Sequence, residues 1–458
     1  MGAASGVLYA TSAFDMPRYV WDSYVNDFVT PPADAVNAVG TTAARRVAAH
    51  RDRYHLIYQR LMRNAHFQRA TLGSSAADRF DITPVKNLVG QAPGMYLLFG
   101  MLTQMSEHKL HLEDLDDVIE LILPGGGMES ASPGAKPTAP GTTGFFTHHA
   151  FVLVEGYLRP DRSFEIHTIA MPPAEERTAT LKSLNPTLDF SMPSRHDTAQ
   201  LLQIERTDDD ASIVFVSDVW LDQPHVVQAL RVMLEGFVAQ APTISPRAFV
   251  LMGNFTLEPF VFSPQAVRAY RAHFAQLGSL LAEFPALAAC HFILVPGPTD
   301  PVDGMILPQP AIPRDLLSDL YRKAPANFSI SSMSNPCRIR YCTQDIVVFR
   351  QDLMAKMRRH LILKPDVELE PHMHQHLAKT VIDQSHLCPL PMRVQPRHAS
   401  FDHALRLFPT PHVVVLADRV DAYQARATEA DVFNPGSFPN NGFSFMLYYP
   451  SNRTVEEG

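Results

Sequence analysis

The sequence predicts two folded parts of different class: a small all-β barrel in the first half and a layered α/β body in the second. Three observations carry this reading. Short strand-like runs follow one another between about residues 80 and 172 with turns, not helices, between them. From residue 212 onward, apolar runs of about five residues alternate with helical stripes. The 458 residues, 46% apolar and 19% charged, supply enough material for two or three cores.

Composition narrows the function classes. The chain carries 47 acids against 39 bases, which argues against a protein whose main work is gripping phosphate backbones. The opening MGAASGVLYATSAF has no basic stretch and no long apolar run, so no secretory signal is expected. No run of 18 apolar residues occurs, so no membrane span is expected. Gly6 stands where a myristoylation motif prefers Ser or Thr. Cys290, Cys337, Cys342 and Cys388 then read as reduced thiols of an intracellular protein, and the Cys337/Cys342 pair is too isolated for a four-ligand zinc site.

Residues 1–78 read as an extended segment and a helix. The helix spans about 43–68, with Val47, Tyr54, Tyr58 and Leu61 on one face and the many Arg and His residues on a solvated side. Contact with nucleic acid is the sharper reading of those cations. Residues 79–175 contain five strand-like runs: YLLFGMLTQ (96–104), KLHLED (109–114), VIELILP (118–124), AFVLVEGYL (150–158) and SFEIHTIAM (163–171). Five strands in under 100 residues predict an OB-fold. The glycines of PGGGMESASPGAKPTAPGTTG (124–144) lack the following helix and GK[ST] of a phosphate cradle, so this stretch reads as a loop insertion. A barrel of this class binds single strands through aromatic platforms on a basic groove; with few strand aromatics here, a packing module is favoured over single-strand binding.

Residues 176–211, Pro-rich and weakly periodic, read as a linker, and 212–458 as the α/β body. There IVFVS (213–217) leads to Asp218, AFVLM (248–252) to Gly253-Asn254, FILV (292–295) to PGPTD, DIVVF (345–349) to Arg350 and VVVLA (413–417) to Asp418. Helices are expected at 224–235 behind Pro224, and after Ser263-Pro264, where Val267, Tyr270, Phe274, Leu277 and Leu281 form a stripe. The five strand ends are expected to meet at one edge of a sheet, where an α/β body keeps its site.

Two-metal phosphoester hydrolysis needs carboxylate, imidazole and amide ligands from several strand ends. The order and strand context resemble the calcineurin-like metallophosphoesterase series D-x-H, G-D-x-x-D, G-N-H-[DE], His, G-H-x-H. The ligands do not. Asp218-Val219-Trp220 stands for the first motif, Gly253-Asn254 for the second and Gly297-Pro298-Thr299-Asp300 for the third. Arg350 follows the fourth strand, and Asp418-Arg419-Val420 ends the series, while the NPGS turn, Asn434 to Ser437, is intact. The expectation is a β-sandwich flanked by helices with no catalytic residue, no metal and no cofactor. Asp218, Asn254, Asp300 and Asp418 are then vestigial positions, because imidazoles for two cations and for acid–base work are missing.

Loss of the ligands behind a barrel resembles the B subunits of the replicative DNA polymerases, nearest to the branch that serves DNA polymerase epsilon. The segments that carry the resemblance are FDMPRYVWDS (14–23), VFVSDVWLD (214–222), FVLMGNFT (249–256), FILVPGPTDP (292–301) and NPCRIRYCTQDIVVFRQDLMAKM (335–357). HLAKTVIDQSHLCPLP (376–391), VVVLADRVDAY (413–423) and NPGSFPNNGFSFMLYYPSNRTVEE (434–457) continue it over nearly the whole chain. The resemblance implies an OB-fold followed by an inactive calcineurin-like phosphoesterase domain, in a nuclear scaffold. That scaffold would hold the C-terminal region of the catalytic subunit of DNA polymerase epsilon, link it to replicative helicase components, and meet DNA through the complex. Members usually begin with a small helical domain associated with helicase contact; about a dozen residues precede FDMPRY here. The rival readings are an active metal-dependent phosphodiesterase or exonuclease, and a single-strand-binding module.

Four further features invite a role. His372, His374 and His376 alternate in PHMHQH and would share a face if extended; without an acidic partner they read as a surface loop. His386 reads as a buried structural hydrogen bonder. Trp220 reads as filler of the space of a metal site, with a partner-facing role as the alternative. Lys356, Arg358 and Arg359 read as cations complementing a helix end.

Overall fold

Five of the short apolar runs after residue 80 pair edge to edge until the sheet closes on itself. The structure is a computed structural model that describes residues 7–31, 42–67, 80–107, 109–123, 141–185, 188–190, 198–240, 244–302 and 304–458. The chain begins with β1 (Leu8–Ser12), a hairpin of β2 (Val20–Asp22) and β3 (Asp27–Val29), and α1 (Ala43–Arg63). Next come β4 (Met95–Ser106), β5 (Lys109–Glu113), β6 (Val118–Ile122), β7 (Phe146–Thr147), β8 (Phe151–Leu158) and β9 (Phe164–Ala170). The barrel runs β4-β5-β6-β9-β8 and closes, with β6 and β9 parallel and the other neighbours antiparallel. That is the OB order. Alternation sets its faces: Leu110, Leu112, Ile119 and Leu121 point inward, and His111 and Glu120 do not. The greater part of the Gly-rich insertion, 124–140, lies outside the described residues.

Residues 176–211, read as a linker, carry α2 (Arg177–Ser183) and α3 (Thr198–Thr207). Their weak periodicity is offset by polar ties to the second part. Arg177 pairs with Asp345, and Glu205 accepts from the Thr343 backbone at 3.1 Å and from Gln344.

The second part runs β10 (Ala211–Ser217), α4 (Pro224–Ala239), β11 (Ser245–Met252), α5 (Pro264–Ala282), β12 (His291–Val295), α6 (Ser318–Lys323), β13 (Ser329–Ser332), β14 (Cys337–Tyr341) and β15 (Gln344–Arg350). It ends with α7 (Leu353–Arg359), β16 (Leu361–Leu363), α8 (Met373–Asp383), β17 (Val413–Ala417), β18 (Tyr423–Ala427), β19 (Ala430–Asn434), β20 (Met446–Tyr449) and β21 (Thr454–Glu457). Two six-stranded sheets form, in the orders β13-β12-β11-β10-β20-β21 and β1-β14-β15-β17-β19-β18. Ile213, Phe215, Val250, Met252, Ile293 and Val295 of the first sheet face Ile339, Ile346, Val348, Val413 and Val415 of the second. The intervening residues Val214, Val216, Phe249 and Leu251 pack outward on α4 and α5, and Val347, Phe349, Val414 and Leu416 on α7 and α8. Strands buried on both faces are continuous apolar runs for this reason, and each such side chain contributes about 1.5–3 kcal/mol. The result is a β-sandwich flanked by helices.

Three expectations change. The strand ends meet between two facing sheets, not along one edge of a sheet, because β10, β11 and β12 belong to one and β15 and β17 to the other. The buried stripe of α1 is Ala49, Arg53, Leu56, Ile57, Arg60 and Leu61, while Val47 is 51% exposed. Arg53 and Arg60 were expected on a solvated side; they are buried because α1 is covered on one side by the barrel and on the other by the sandwich. Arg60 donates to Ser385 Oγ at 2.6 Å and to the carbonyls of Asp383 at 2.6 Å and Pro172 at 3.0 Å. PHMHQH is not an extended surface loop: His374 and His376 lie in the first turn of α8, and His376 is buried, accepting from the Gly144 N–H at 2.9 Å.

Barrel and sandwich are tied by more than α1. Gln384 takes the Phe151 N–H at 2.8 Å and donates to the Phe151 carbonyl at 2.7 Å, and β7 pairs with β16. No helix among the described residues is long and apolar enough to cross a membrane.

Candidate functional site

The parallel strands β10, β11, β12, β15 and β17 end together, and the residue that follows or closes each contributes to one buried polar knot. Arg350 is its centre. The last residue of β15, it is 0% exposed. Its Nη2 donates to Asp218 Oδ1 at 2.8 Å, its Nη1 to Asp352 Oδ1 at 2.8 Å, and its Nε to the Gly253 carbonyl at 2.7 Å. Nη1 also reaches the Ala417 carbonyl at 3.2 Å. The guanidinium therefore touches the tips of β10, β11 and β17 at once. Its backbone is held in turn by Asn335, whose Oδ1 accepts from Arg350 N at 3.0 Å and whose Nδ2 donates to Arg350 O at 2.6 Å.

Asp218, Asn254 and Asp300 interlock around this knot. Asp218, at φ +59°, also accepts from the Asn254 N–H at 3.1 Å, and the half-exposed Arg419 stands 3.8 Å from its Oδ2. Asn254 Oδ1 accepts from the Thr299 N–H at 3.0 Å. Asp300 accepts from the N–H groups of Gly297 at 2.8 Å and Phe255 at 2.9 Å, and from the Tyr270 hydroxyl at 3.2 Å. The loops are packed so closely that a Cβ on Gly253 would land on the Asp300 carboxylate. Asp418 stands apart: its Oδ2 accepts from the Met354 N–H at 2.8 Å, and its own N–H donates to Asn434 Oδ1 at 2.9 Å. Asn434, first residue of the NPGS turn, also takes the Gly436 N–H at 3.0 Å.

The charge states follow. Burial pushes Asp218 up, but the Arg350 guanidinium outweighs it and holds the carboxyl below its ordinary range. Burial likewise opposes the Arg350 charge, and Asp218 and Asp352 overcome it and raise the guanidinium above its usual value. Asp300 has donors but no adjacent cation among the described residues, so burial pushes it up to about 6. Asp418 is raised as well, by burial, with the Met354 N–H acting against it.

The sequence-predicted positions thus divide. Asp218, Asn254 and Asp300 interlock, and Asp418 serves the start of α7. Tyr270, Asn335 and Asp352 belong to the site and were not singled out as members of it. Asp352 had a signal, an acid two residues after the arginine. Asn335 and Tyr270 had none, since their partners lie 15 and 30 residues away. Trp220 belongs to the core on the α4/α5 side of its sheet. His386 makes the expected buried bond, Nδ1 accepting from the Cys388 N–H at 3.0 Å. Among the described residues no group of three or more His, Cys, Asp or Glu side chains could hold a metal ion.

A family model for the B subunit of DNA polymerases alpha and epsilon matches residues 213–425, and one described as DNA polymerase epsilon subunit 2-like, OB-fold domain, matches residues 43–173. The DNA polymerase epsilon subunit 2 of Bos taurus is 35% identical over 457 residues, covering 97% of this chain and 82% of the bovine one. The chain belongs to the DNA polymerase epsilon subunit 2 family. The corresponding B subunit of Arabidopsis thaliana is 34% identical over 97% of this chain and 81% of its own length, and that of Saccharomyces cerevisiae 26% identical over 97% and 74%. A solved archaeal phosphodiesterase aligns with 54% of this chain and 98% of its own at 11% identity and a TM-score of 0.27. In this member of the DNA polymerase epsilon subunit 2 family, the arginine knot closes the strand tips of the sandwich, and the OB barrel packs against the same body through α1.

Proposed function

We propose that the chain is a non-catalytic accessory subunit of DNA polymerase epsilon that works by contact rather than turnover. It holds the C-terminal region of the catalytic subunit, lies with it in the nucleus, and links it toward replicative helicase components; DNA is met through the complex. The observation that supports this reading is the Arg350 guanidinium. It fills the space among the strand tips where a hydrolase of this fold would keep its cations, and it consumes Asp218, the acid of the first motif. A fixed positive charge there repels divalent ions, and among the described residues no imidazole stands at the tips to move a proton. Single-strand binding by the barrel finds little support, since Phe99 and Phe151 lie buried beneath Tyr54 of α1.

Two measurements test this. Purified chain with Mn²⁺ and a generic phosphodiester should show no turnover above blank; turnover abolished by Asp218→Ala would establish the enzyme instead. Coexpression with the C-terminal region of the catalytic subunit should raise the soluble yield through a large apolar interface. Equal yield with and without that partner counts against the scaffold.

A further inference from the structure

The seam between α1, the barrel and the sandwich encloses charges that do not satisfy one another. Arg53 of α1 is 2% exposed, and its Nε, Nη1 and Nη2 have no hydrogen-bond partner among the described residues. Its guanidinium carbon lies 5.2 Å from the centroid of the Phe151 ring on the barrel. On the sandwich side, Arg397 gives Nη1 to the carbonyls of Cys388 at 2.7 Å and Leu390 at 2.6 Å, but its Nη2 is unpartnered among the described residues. Asp402 is approached by Arg397 Nε at 3.2 Å and His386 Nε2 at 3.4 Å, both outside hydrogen-bonding geometry. His50 of α1 and His149 of the barrel stand 4.9 Å apart, ring to ring, each with a buried Nδ1 lacking a partner among the described residues.

The charges do not cancel. Burial lowers His50 to about 4, and His149 and His386 to about 3, so all three are neutral near pH 7. Burial lowers Arg53 only to about 10, which leaves it cationic, and Asp402 and Arg397 are the strongest charges it feels. Burial would raise Asp402, but the Arg397 and Arg53 guanidiniums beside it act against that and hold it ionised. Nearby Arg406 is answered separately by Asp52 at 3.1 Å. Two buried cations therefore face one buried anion, and the atoms in excess are guanidinium N–H donors. A buried charge without a partner is strongly destabilising.

We propose that this seam binds one small monovalent anion of chloride size, held by the Arg53 guanidinium and Arg397 Nη2 where α1, the barrel and the sandwich meet. The anion supplies the missing negative charge and accepts the unused N–H groups. It also makes the docking of α1 on both neighbours sensitive to halide.

Two readouts on the full chain, alone or with the catalytic subunit's C-terminal region, decide it. Crystals grown in bromide should show an anomalous peak in contact with Arg53 and Arg397. Replacing gluconate by chloride at fixed ionic strength should raise the melting temperature along a saturating curve, and Arg53→Met should flatten that curve. A map with no bromide peak, holding only water or a direct Arg53–Asp402 ion pair, overturns the proposal whether or not the variant folds. So does a melting temperature indifferent to chloride; a bromide peak without that dependence marks an adventitious ion only.

Discussion

Arg350 and Asp300 are both buried at the strand tips, and opposite physics governs them. Arg350 is paired from every side, so its removal strands a charge. Arg350→Ala should cost about 3–5 kcal/mol, because Asp218 would remain buried without its partner. Adding Asp218→Asn should recover part of that loss; a double variant whose cost in urea equals the sum of the two single costs would show that the two residues are uncoupled. Asp300 has no cation beside it among the described residues, and its carboxyl sits at about 6 against an ordinary value of about 3.9. A raised acid binds its proton more tightly folded than unfolded. Its contribution is complete below about pH 4 and fades as pH climbs through about 6. Asp218, held low by Arg350, runs the other way and loses its contribution as pH falls through its folded value. Between pH 4 and 7 the wild type should therefore lose about 2 kcal/mol relative to Asp300→Asn. Parallel pH profiles of the two proteins would contradict the assignment.

At the level of elements, the barrel's strands approach very near each other where β8 bends against β9. The β8–β9 register shifts between Glu155 and Gly156, and a Cβ on Gly156 would land on the Glu165 carbonyl. Gly156→Ala should cost roughly 1–3 kcal/mol by forcing that pair apart. Hydrogen exchange should report it as lost protection in β8 and β9; protection unchanged there would mean the barrel absorbs the methyl. Helix α1 shows the complementary lesson. Its arginines read as a solvated face, since Arg is rarely buried unpaired. Arg46 and Arg51 are exposed as read, but Arg53 and Arg60 are inside because a helix clasped on two sides has little solvated face left near its C-terminal half.

For the whole molecule, the N-terminal segment belongs to a sheet built otherwise from residues more than 300 positions later. β1 lies antiparallel on β14, from Leu8 opposite Tyr341 to Ser12 opposite Cys337, and the Ala13 N–H donates to Ser334 Oγ at 2.7 Å. Deleting residues through Ser12 would leave β14 as an open edge, five residues long and apolar on its inner face. Such an edge pairs with other chains. Light scattering should show the truncated protein aggregating at concentrations where the full chain stays monodisperse; identical traces would show that β1 only decorates the sheet.

What the amino-acid sequence determined alone was everything carried by local periodicity. Barrel strands, buried strands and helices such as α5 with its Ser263 cap follow from alternation, apolar runs and capping, all of which act within a few residues. It also singled out Asp218, Asn254 and Asp300, which the structure brings together at the strand tips, because each directly follows or closely trails an apolar run. Tertiary structure alone decided that the strand tips belong to two sheets, that Asn335 and Tyr270 serve the knot, and that Arg53 and Arg60 are interior. Those facts depend on which surfaces meet between segments far apart in the chain, and burial of a charge is a property of the neighbours that surround it.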